Sequence, residues 1–256
     1  MLFILLIASN NLLFIFLGCR GFGWVKSGRG GIEVCDKDIY NIIILMKHIL
    51  VYSDSISWGI IPMSRNRFPF HQRWPGILEN NLNKFGKDVR VIEDCLNGRR
   101  TNYDDAIRPG RNGLIGLSQR IEVNSPLELV ILMLGTNDFQ VNHNHSALDA
   151  AKGMKGLILS IRDTNLEPGM LIPKILVIAP PPILEPKGDI AIKFKGADKK
   201  CVGLAEAYKA LCEQENCNFF DAGKITSSSK VDGVHFDLDQ HLIFGNAISE
   251  YVKNLI

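Results

Sequence analysis

The sequence has little net charge to direct it to a polyanion. Its 29 Lys and Arg residues nearly balance its 27 Asp and Glu residues, for a formal charge of +2. Phosphate-backbone binding asks for a clustered basic surface, so a nucleic-acid partner is excluded at this level. The one dense basic run is Arg99-Arg100, followed by Arg108 and Arg111. No glycine-rich turn opens a helix there to cradle a phosphate, and the run reads as a solvated loop. Cysteine is also sparse. Cys19, Cys35, Cys95, Cys201, Cys212 and Cys217 lie far apart, with no C-x-x-C pair. Zinc sites want close ligand pairs, and secreted disulfide scaffolds are shorter and denser in cysteine. The thiols are therefore expected to be reduced, in a cytoplasmic protein. His143-Asn144-His145 is a candidate metal pair, but it sits in a polar loop with no third ligand nearby in sequence. Hydrophobic residues make up 46% of the chain and charged residues 22%, a balance that buries a core without staples.

Residues 1–17, MLFILLIASNNLLFIFL, are strongly apolar. No Lys or Arg precedes the run, so the basic start of a signal peptide is missing. The run is short for a membrane span, and Asn10-Asn11 interrupt it. Leu17-Gly18-Cys19 resembles a lipoprotein cleavage site, although Phe16 stands where a small or branched residue is usual. The glycine-rich stretch that follows lacks clear periodicity. Two readings are open: an exported or anchored chain, placed in the cell envelope, or translation from a start too far upstream. We expect residues 1–45 to be an extension outside the domain, and residues 46–256 to be a domain that does not insert stably into a membrane.

From Met46 onward, strands and helices alternate. His48 to Tyr52 is a short apolar, β-branched run ending at Ser53-Asp54-Ser55, which reads as a buried parallel strand delivering a polar turn. Trp74, Ile77, Leu78 and Leu82 have helical spacing, with Pro75 in the first turn and Gly86 after the end. Further strands are expected at 89–92, 127–134, 175–179 and 218–221. Further helices are expected at 148–162, 199–215 and 239–255. This pattern predicts an α/β fold, a three-layer α/β/α sandwich around a central parallel sheet. Ligands of such sheets bind outside the carboxyl ends of the strands. Ser53-Asp54-Ser55, Asn97-Gly98, Gly135-Thr136-Asn137-Asp138 and the Asp232–His235 loop all fall at or just after such ends, which joins them into one site.

Those clusters carry a consistent chemistry. A serine hydroxyl is a poor nucleophile until a base accepts its proton. The base is commonly a histidine held in one tautomer by a carboxylate. Asp232-Gly233-Val234-His235 supplies both on one loop, although D-x-x-H alone is a weak signal. An oxyanion formed in acyl transfer needs donors already aimed at it. The candidates are the backbone N–H groups of Ser55 and Gly98 and the side-chain amide of Asn137.

Here the sequence resembles a known family. Tyr52-Ser53-Asp54-Ser55-Ile56-Ser57-Trp58-Gly59 is similar to the G-D-S-x-T-x-G block of the SGNH, or GDSL, hydrolases. Asn97-Gly98-Arg99-Arg100-Thr101 resembles their second block, which carries the oxyanion glycine. Gly135-Thr136-Asn137-Asp138 resembles the third, G-x-N-D, and Asp232-Gly233-Val234-His235 the last, D-x-x-H. The four blocks occur in the family's order across 46–256. RFPFHQRWPG, LMLGTND, APPP and FFDAG resemble the arylesterase and acyltransferase branch. The resemblance implies a flavodoxin-like sheet, hydrolysis of small-molecule esters, acyl transfer to alcohols or peroxide, no cofactor and a homo-oligomer. It assigns Ser55 as nucleophile, His235 and Asp232 as the rest of a triad, and Ser55, Gly98 and Asn137 as the oxyanion hole.

There are two departures from the pattern. Ser53 stands for the first glycine of the opening block, adding a Cβ where the family's turn carries none. Asn97 stands for the usual serine before Gly98. Ser53 motivates a second hypothesis, a weakened relative that binds acylated ligands. A third is a carbohydrate esterase removing acetyl groups at the same site. Ser55 taken alone would be a helix-capping turn serine. Asp54 and Asp138 are expected to be structural. His241 is the rival base, without an aspartate three residues before it. Trp58, Phe68, Phe70 and Trp74 are left out of the site, since aromatics at such positions serve cores and contacts as often as pockets.

Overall fold

The computed structural model describes residues 46–256 and, before them, only the backbone of Leu6–Ser9, Leu12–Phe16 and Phe22–Val25. The chain divides into Met1–Met46 and Lys47–Ile256. In the first unit the three segments pair antiparallel, in chain order. Phe22–Val25 lies where sequence periodicity predicts no element. Its ladder partner, the apolar Leu12–Phe16 segment, supplies the pairing that alternation does not. The lipoprotein-like Leu17-Gly18-Cys19 lies outside the described residues.

The second unit is built on five strands: β1 (Lys47–Ser53), β2 (Val89–Cys95), β3 (Leu129–Met133), β4 (Lys174–Ala179) and β5 (Asn218–Asp221). They form one parallel sheet in the order β2-β1-β3-β4-β5. Seven helices accompany it: α1 (Ser55–Trp58), α2 (Trp74–Lys84), α3 (Leu117–Asn124), α4 (Ala147–Arg162), α5 (Ala197–Lys200), α6 (Leu204–Gln214) and α7 (Leu238–Lys253).

Period-2 alternation divides the core in two. Leu50 and Tyr52 of β1 pack with Leu117 and Ile121 of α3, Met154 and Leu157 of α4, and Tyr208 of α6. Ile49 and Val51 face the other way, onto Trp74 and Leu78 of α2 and Phe244 and Ile248 of α7. With both faces covered, the central strands are apolar throughout rather than alternating.

Three elements differ from the expectation. The helix expected over 199–215 is two, α5 and α6, separated at Gly203, whose φ of +86° breaks the run. β2 continues past residue 92 through Glu93 and Asp94, which sit opposite Val51 and Tyr52. Their charges are met by Arg73 and Arg67 for Glu93, and by Arg99 and Arg120 for Asp94. α3 was not anticipated, because it rests on only two buried anchors, Leu117 and Ile121, one turn apart.

The chain leaves β1 for β2 on one side and returns to β3 on the other. The carboxyl ends of β1 and β3 therefore flank a topological switch point, where open α/β sheets bind ligands. Among the described residues, no helix is long and apolar enough to cross a membrane.

Candidate active site

Ser53, the last residue of β1, leads into a polar turn, and Ser55 opens α1. Asp54 caps that helix: its Oδ1 accepts the Ile56 N–H at 3.0 Å. Gly59 closes it at φ +84°, and a Cβ there would run into the Arg73 side chain. The Ser55 hydroxyl is thus held at the head of a short, fixed turn. His235 Nε2 lies 3.0 Å from Ser55 Oγ, and His235 Nδ1 lies 2.7 Å from Asp232 Oδ2. Asp232 Oδ1 accepts the backbone N–H groups of Val234 and His235, each at 2.9 Å. Burial pushes the Asp232 carboxyl up, but the His235 ring and these N–H bonds outweigh it and hold the group below its ordinary value. Gly233 makes the turn possible: at φ +82°, a Cβ would sit 2.4 Å from the Glu185 carbonyl oxygen.

The sequence-predicted residues from β2 and β3 arrive at the same place. Gly98 is buried at φ +86° in the turn after β2. Among the described residues, the N–H groups of Ser55 and Gly98 have no protein acceptor. Asn137 sits in the turn after β3, and its Nδ2 donates to Asp54 Oδ2 at 3.0 Å and to the Arg99 carbonyl at 3.1 Å. Its Oδ1 accepts from Gln140 Nε2 at 2.6 Å. Sequence reasoning missed Gln140, which lies only two residues past the G-x-N-D block.

Both aspartates expected to be structural are fully buried and hydrogen-bonded. Burial raises Asp54 to about 6, against the bonds from Ile56 and Asn137. Burial raises Asp138 to about 7, against bonds from the Thr101 hydroxyl at 2.7 Å and the Thr101 N–H at 3.0 Å. Asp138 thereby ties the turn after β3 to the loop after β2 rather than capping a helix.

Ser53 is not strained. Its backbone is that of a strand end, outside the positive-φ positions. Its hydroxyl donates to the Met133 carbonyl at 2.6 Å and bonds Ser57 Oγ at 2.5 Å, and Ser57 in turn accepts from Trp74 Nε1 at 3.0 Å. The rival base His241 is fully buried; its Nδ1 accepts the Trp74 N–H at 3.3 Å, and burial lowers it to about 3. It is a neutral core histidine.

Arg99 and Arg100 are buried, not solvated. Arg99 lies over the Tyr52 ring at 3.8 Å and donates to Asp94 Oδ1 at 2.7 Å and to the Ser53 carbonyl at 3.0 Å. Arg100 pairs with Asp105 at 2.8 Å. Asp94 and Asp105 each lie only five residues away, but on a strand end and in an irregular loop where spacing fixes no contact, and the Ser53 carbonyl and Gln140 come from distant segments. His143 and His145 stack at 5.3 Å, with Tyr103 against His145. Among the described residues, no three His, Cys, Asp or Glu side chains gather as metal ligands. Cys95, Cys201, Cys212 and Cys217 are free thiols, whereas Cys19 and Cys35 lie outside the described residues.

A serine, histidine and aspartate in hydrogen-bonded series, at a switch point with unpaired N–H groups beside the serine, define a serine hydrolase type of site. The chain belongs to the GDSL-like lipase/acylhydrolase family, whose profile matches residues 54–242, and it is a carboxylic ester hydrolase. The aryl esterase of M. smegmatis is 36% identical, with a TM-score of 0.77 over 82% of this chain and 100% of that one. Est24, a carbohydrate acetylesterase from Sinorhizobium meliloti, is 31% identical, with a TM-score of 0.76 over 82% of this chain and 100% of that one. A lipase/acylhydrolase from Enterococcus faecalis, 18% identical with a TM-score of 0.60 over 82% of this chain and 96% of that one, shares the fold. No curated protein matches the chain.

Proposed function

We propose that the protein hydrolyses small carboxylic esters of short acyl groups through an acyl-enzyme on Ser55. The observation that carries this is the unbroken series Ser55 Oγ, His235, Asp232, at 3.0 and 2.7 Å. His235 Nε2 takes the serine proton as Oγ bonds to the ester carbonyl carbon. Asp232 holds the proton on Nδ1 and stabilises the imidazolium that forms. The carbonyl oxygen becomes an oxyanion facing the N–H groups of Ser55 and Gly98. Asn137 Nδ2 supplies a third donor once the oxyanion replaces Asp54 or the Arg99 carbonyl as its partner. Collapse expels the alcohol or phenol, which takes the proton from His235. Water then attacks the acyl carbon as it loses a proton to the same nitrogen, and collapse breaks the bond to Ser55 Oγ, which takes that proton back as the acid leaves.

The space beside His235 is small. A pocket of about 20 Å³ there is bounded by Ile60, Met63, Arg65, Asp189 and Ile190. A larger cleft of about 290 Å³ lies at Thr136 and Pro180–Pro182, and Ser55 lines neither space. Likeness to Est24, a carbohydrate acetylesterase, favours acetyl over long fatty acyl groups, and likeness to an aryl esterase supports an aromatic leaving group. An alcohol or peroxide in place of water would give acyl transfer. Likeness to Est24 favours a second reading, deacetylation of sugars at the same site. The same proposal includes a cytoplasmic homo-oligomer and a domain comprising residues 46–256.

The test is a fluorophosphonate label mapped by mass spectrometry, run beside a panel of aryl acetates, longer aryl esters and acetylated sugars. Ser55 should carry the adduct, and Ser55→Ala should lose turnover. Labelling elsewhere, or full turnover in Ser55→Ala, refutes the mechanism. Highest kcat/KM with octanoyl or longer esters refutes the substrate reading.

A further inference from the structure

Behind Asn137 stands a buried polar chain for which the mechanism above has no use. Arg100 is fully buried, and its Nη1 donates to the Asp104 carbonyl at 2.8 Å. Its Nη2 donates to Asp105 Oδ2 at 2.8 Å and to Gln140 Oε1 at 3.2 Å. Gln140, 1% exposed, passes a bond from Nε2 to Asn137 Oδ1 at 2.6 Å.

The direction of this chain follows from its first member. A guanidinium has donors and no acceptor. Gln140 must therefore show Arg100 its oxygen, which turns its NH2 group to Asn137. Asn137 must then show its own oxygen to Gln140, which turns its NH2 group to Asp54 and the Arg99 carbonyl, beside Ser55. Two side-chain amides, each able to flip in isolation, are thus set by one cation. Their dipoles line up with the positive end toward the nucleophile, and hydrogen bonds in series polarise one another in a buried setting.

We propose that Gln140 and Arg100 are positioning residues for the oxyanion hole, acting through Asn137; this rests on the hydrolase reading of the site. The chain does two things. It anchors Asn137 at its oxygen while its nitrogen exchanges a resting acceptor for the oxyanion. It also strengthens Asn137 as a donor to negative charge. Both effects belong to the transition state, so they act on kcat rather than on substrate binding.

The experiment compares wild type, Asn137→Ala, Gln140→Met and Gln140→Glu, and each Gln140 change in the Asn137→Ala background, with an aryl acetate. Gln140→Met removes the donor at similar volume. Gln140→Glu keeps the partner for Arg100 but turns a second acceptor onto Asn137. Loss of a single supporting bond should lower kcat by roughly three- to tenfold in Gln140→Met. The loss in Gln140→Glu should be larger, up to the roughly 10²–10³ of a lost oxyanion donor. KM should stay within about threefold, since substrate binding is not the step affected. In the Asn137→Ala background neither change should cost anything further. Wild-type kcat in both single variants, or losses that multiply with that of Asn137→Ala, would overturn the proposal. Turnover surviving in Ser55→Ala sinks the hydrolase reading itself; an inactive Ser55→Ala beside unaffected Gln140 variants sinks only the chain behind Asn137.

Discussion

Replacing Asp138 by asparagine should stabilise the protein at high pH and do little at low pH. Asp138 is fully buried with both carboxylate oxygens on Thr101, and its pKa stands at about 7 against 3.8 in an open chain. An acid raised on folding binds its proton more tightly in the native state. The stability this contributes is complete below about pH 4 and is lost as pH rises through about 7. At about 1.4 kcal/mol per unit, the contribution falls by about 2–3 kcal/mol between pH 5 and pH 8. Asparagine keeps an oxygen for the Thr101 N–H, and its NH2 group meets the Thr101 hydroxyl, which turns to accept. The amide does not titrate, so its stability relative to wild type should climb by the same amount across that interval. Urea unfolding of the two proteins, side by side at pH 5 and pH 8, reads this directly. In melting temperature the relative change is roughly 5–10 °C for a domain of this size. Asp54, raised to about 6, remains in both proteins, and its charge is the smallest of the causes acting on Asp138, so it largely cancels in the comparison. Parallel pH curves for the two proteins would refute the reasoning.

Ser53→Gly, which restores the residue usual in the family's opening block, should destabilise this chain. It removes the bonds to the Met133 carbonyl and Ser57 and adds backbone freedom, a cost of about 2 kcal/mol, or a fall of roughly 4–8 °C in Tm; an unchanged melt would show the Ser53 hydroxyl to be idle. The fragment 46–256, expressed alone, should melt and turn over ester as the full chain does, because Lys47–Ile256 clusters as a unit of its own; an insoluble or inactive fragment would overturn that domain boundary.

The fold was legible because its central strands are written in nearly unbroken apolar runs. Leu129–Met133 and Ile175–Ala179 are almost wholly hidden from solvent, and nothing but a sheet covered on both faces accommodates such strands at that spacing. Edges and breaks were harder. Glu93 and Asp94 look like the end of a strand until arginines from three other segments are placed against them. The division of α5 from α6 turns on the φ of Gly203, and a glycine inside a helical pattern does not declare by itself whether the helix bends, breaks or runs on.

The site was legible to the depth at which its chemistry is local. Asp232 and His235 are three residues apart, and the turn that joins them is set by Gly233 between them, so their spacing allows the contact observed at 2.7 Å. Ser55 lies 180 residues from His235, and the strand-end rule together with the family's four-block order brings the two together. Beyond that depth sequence reasoning failed at Arg99 and Arg100, for a physical reason. Clustered arginines are ordinarily solvated, since burying a guanidinium demands acceptors enough to replace water. Here the acceptors are Asp94, Asp105 and the Asp104 carbonyl, near in sequence but on a strand end and in a loop whose spacing fixes no contact, and Gln140 and the Ser53 carbonyl, which are distant. An arginine pair beside Gly98 therefore carries two incompatible readings until the fold is known. The burial observed decides between them and leaves one cation at the head of the chain Arg100–Gln140–Asn137.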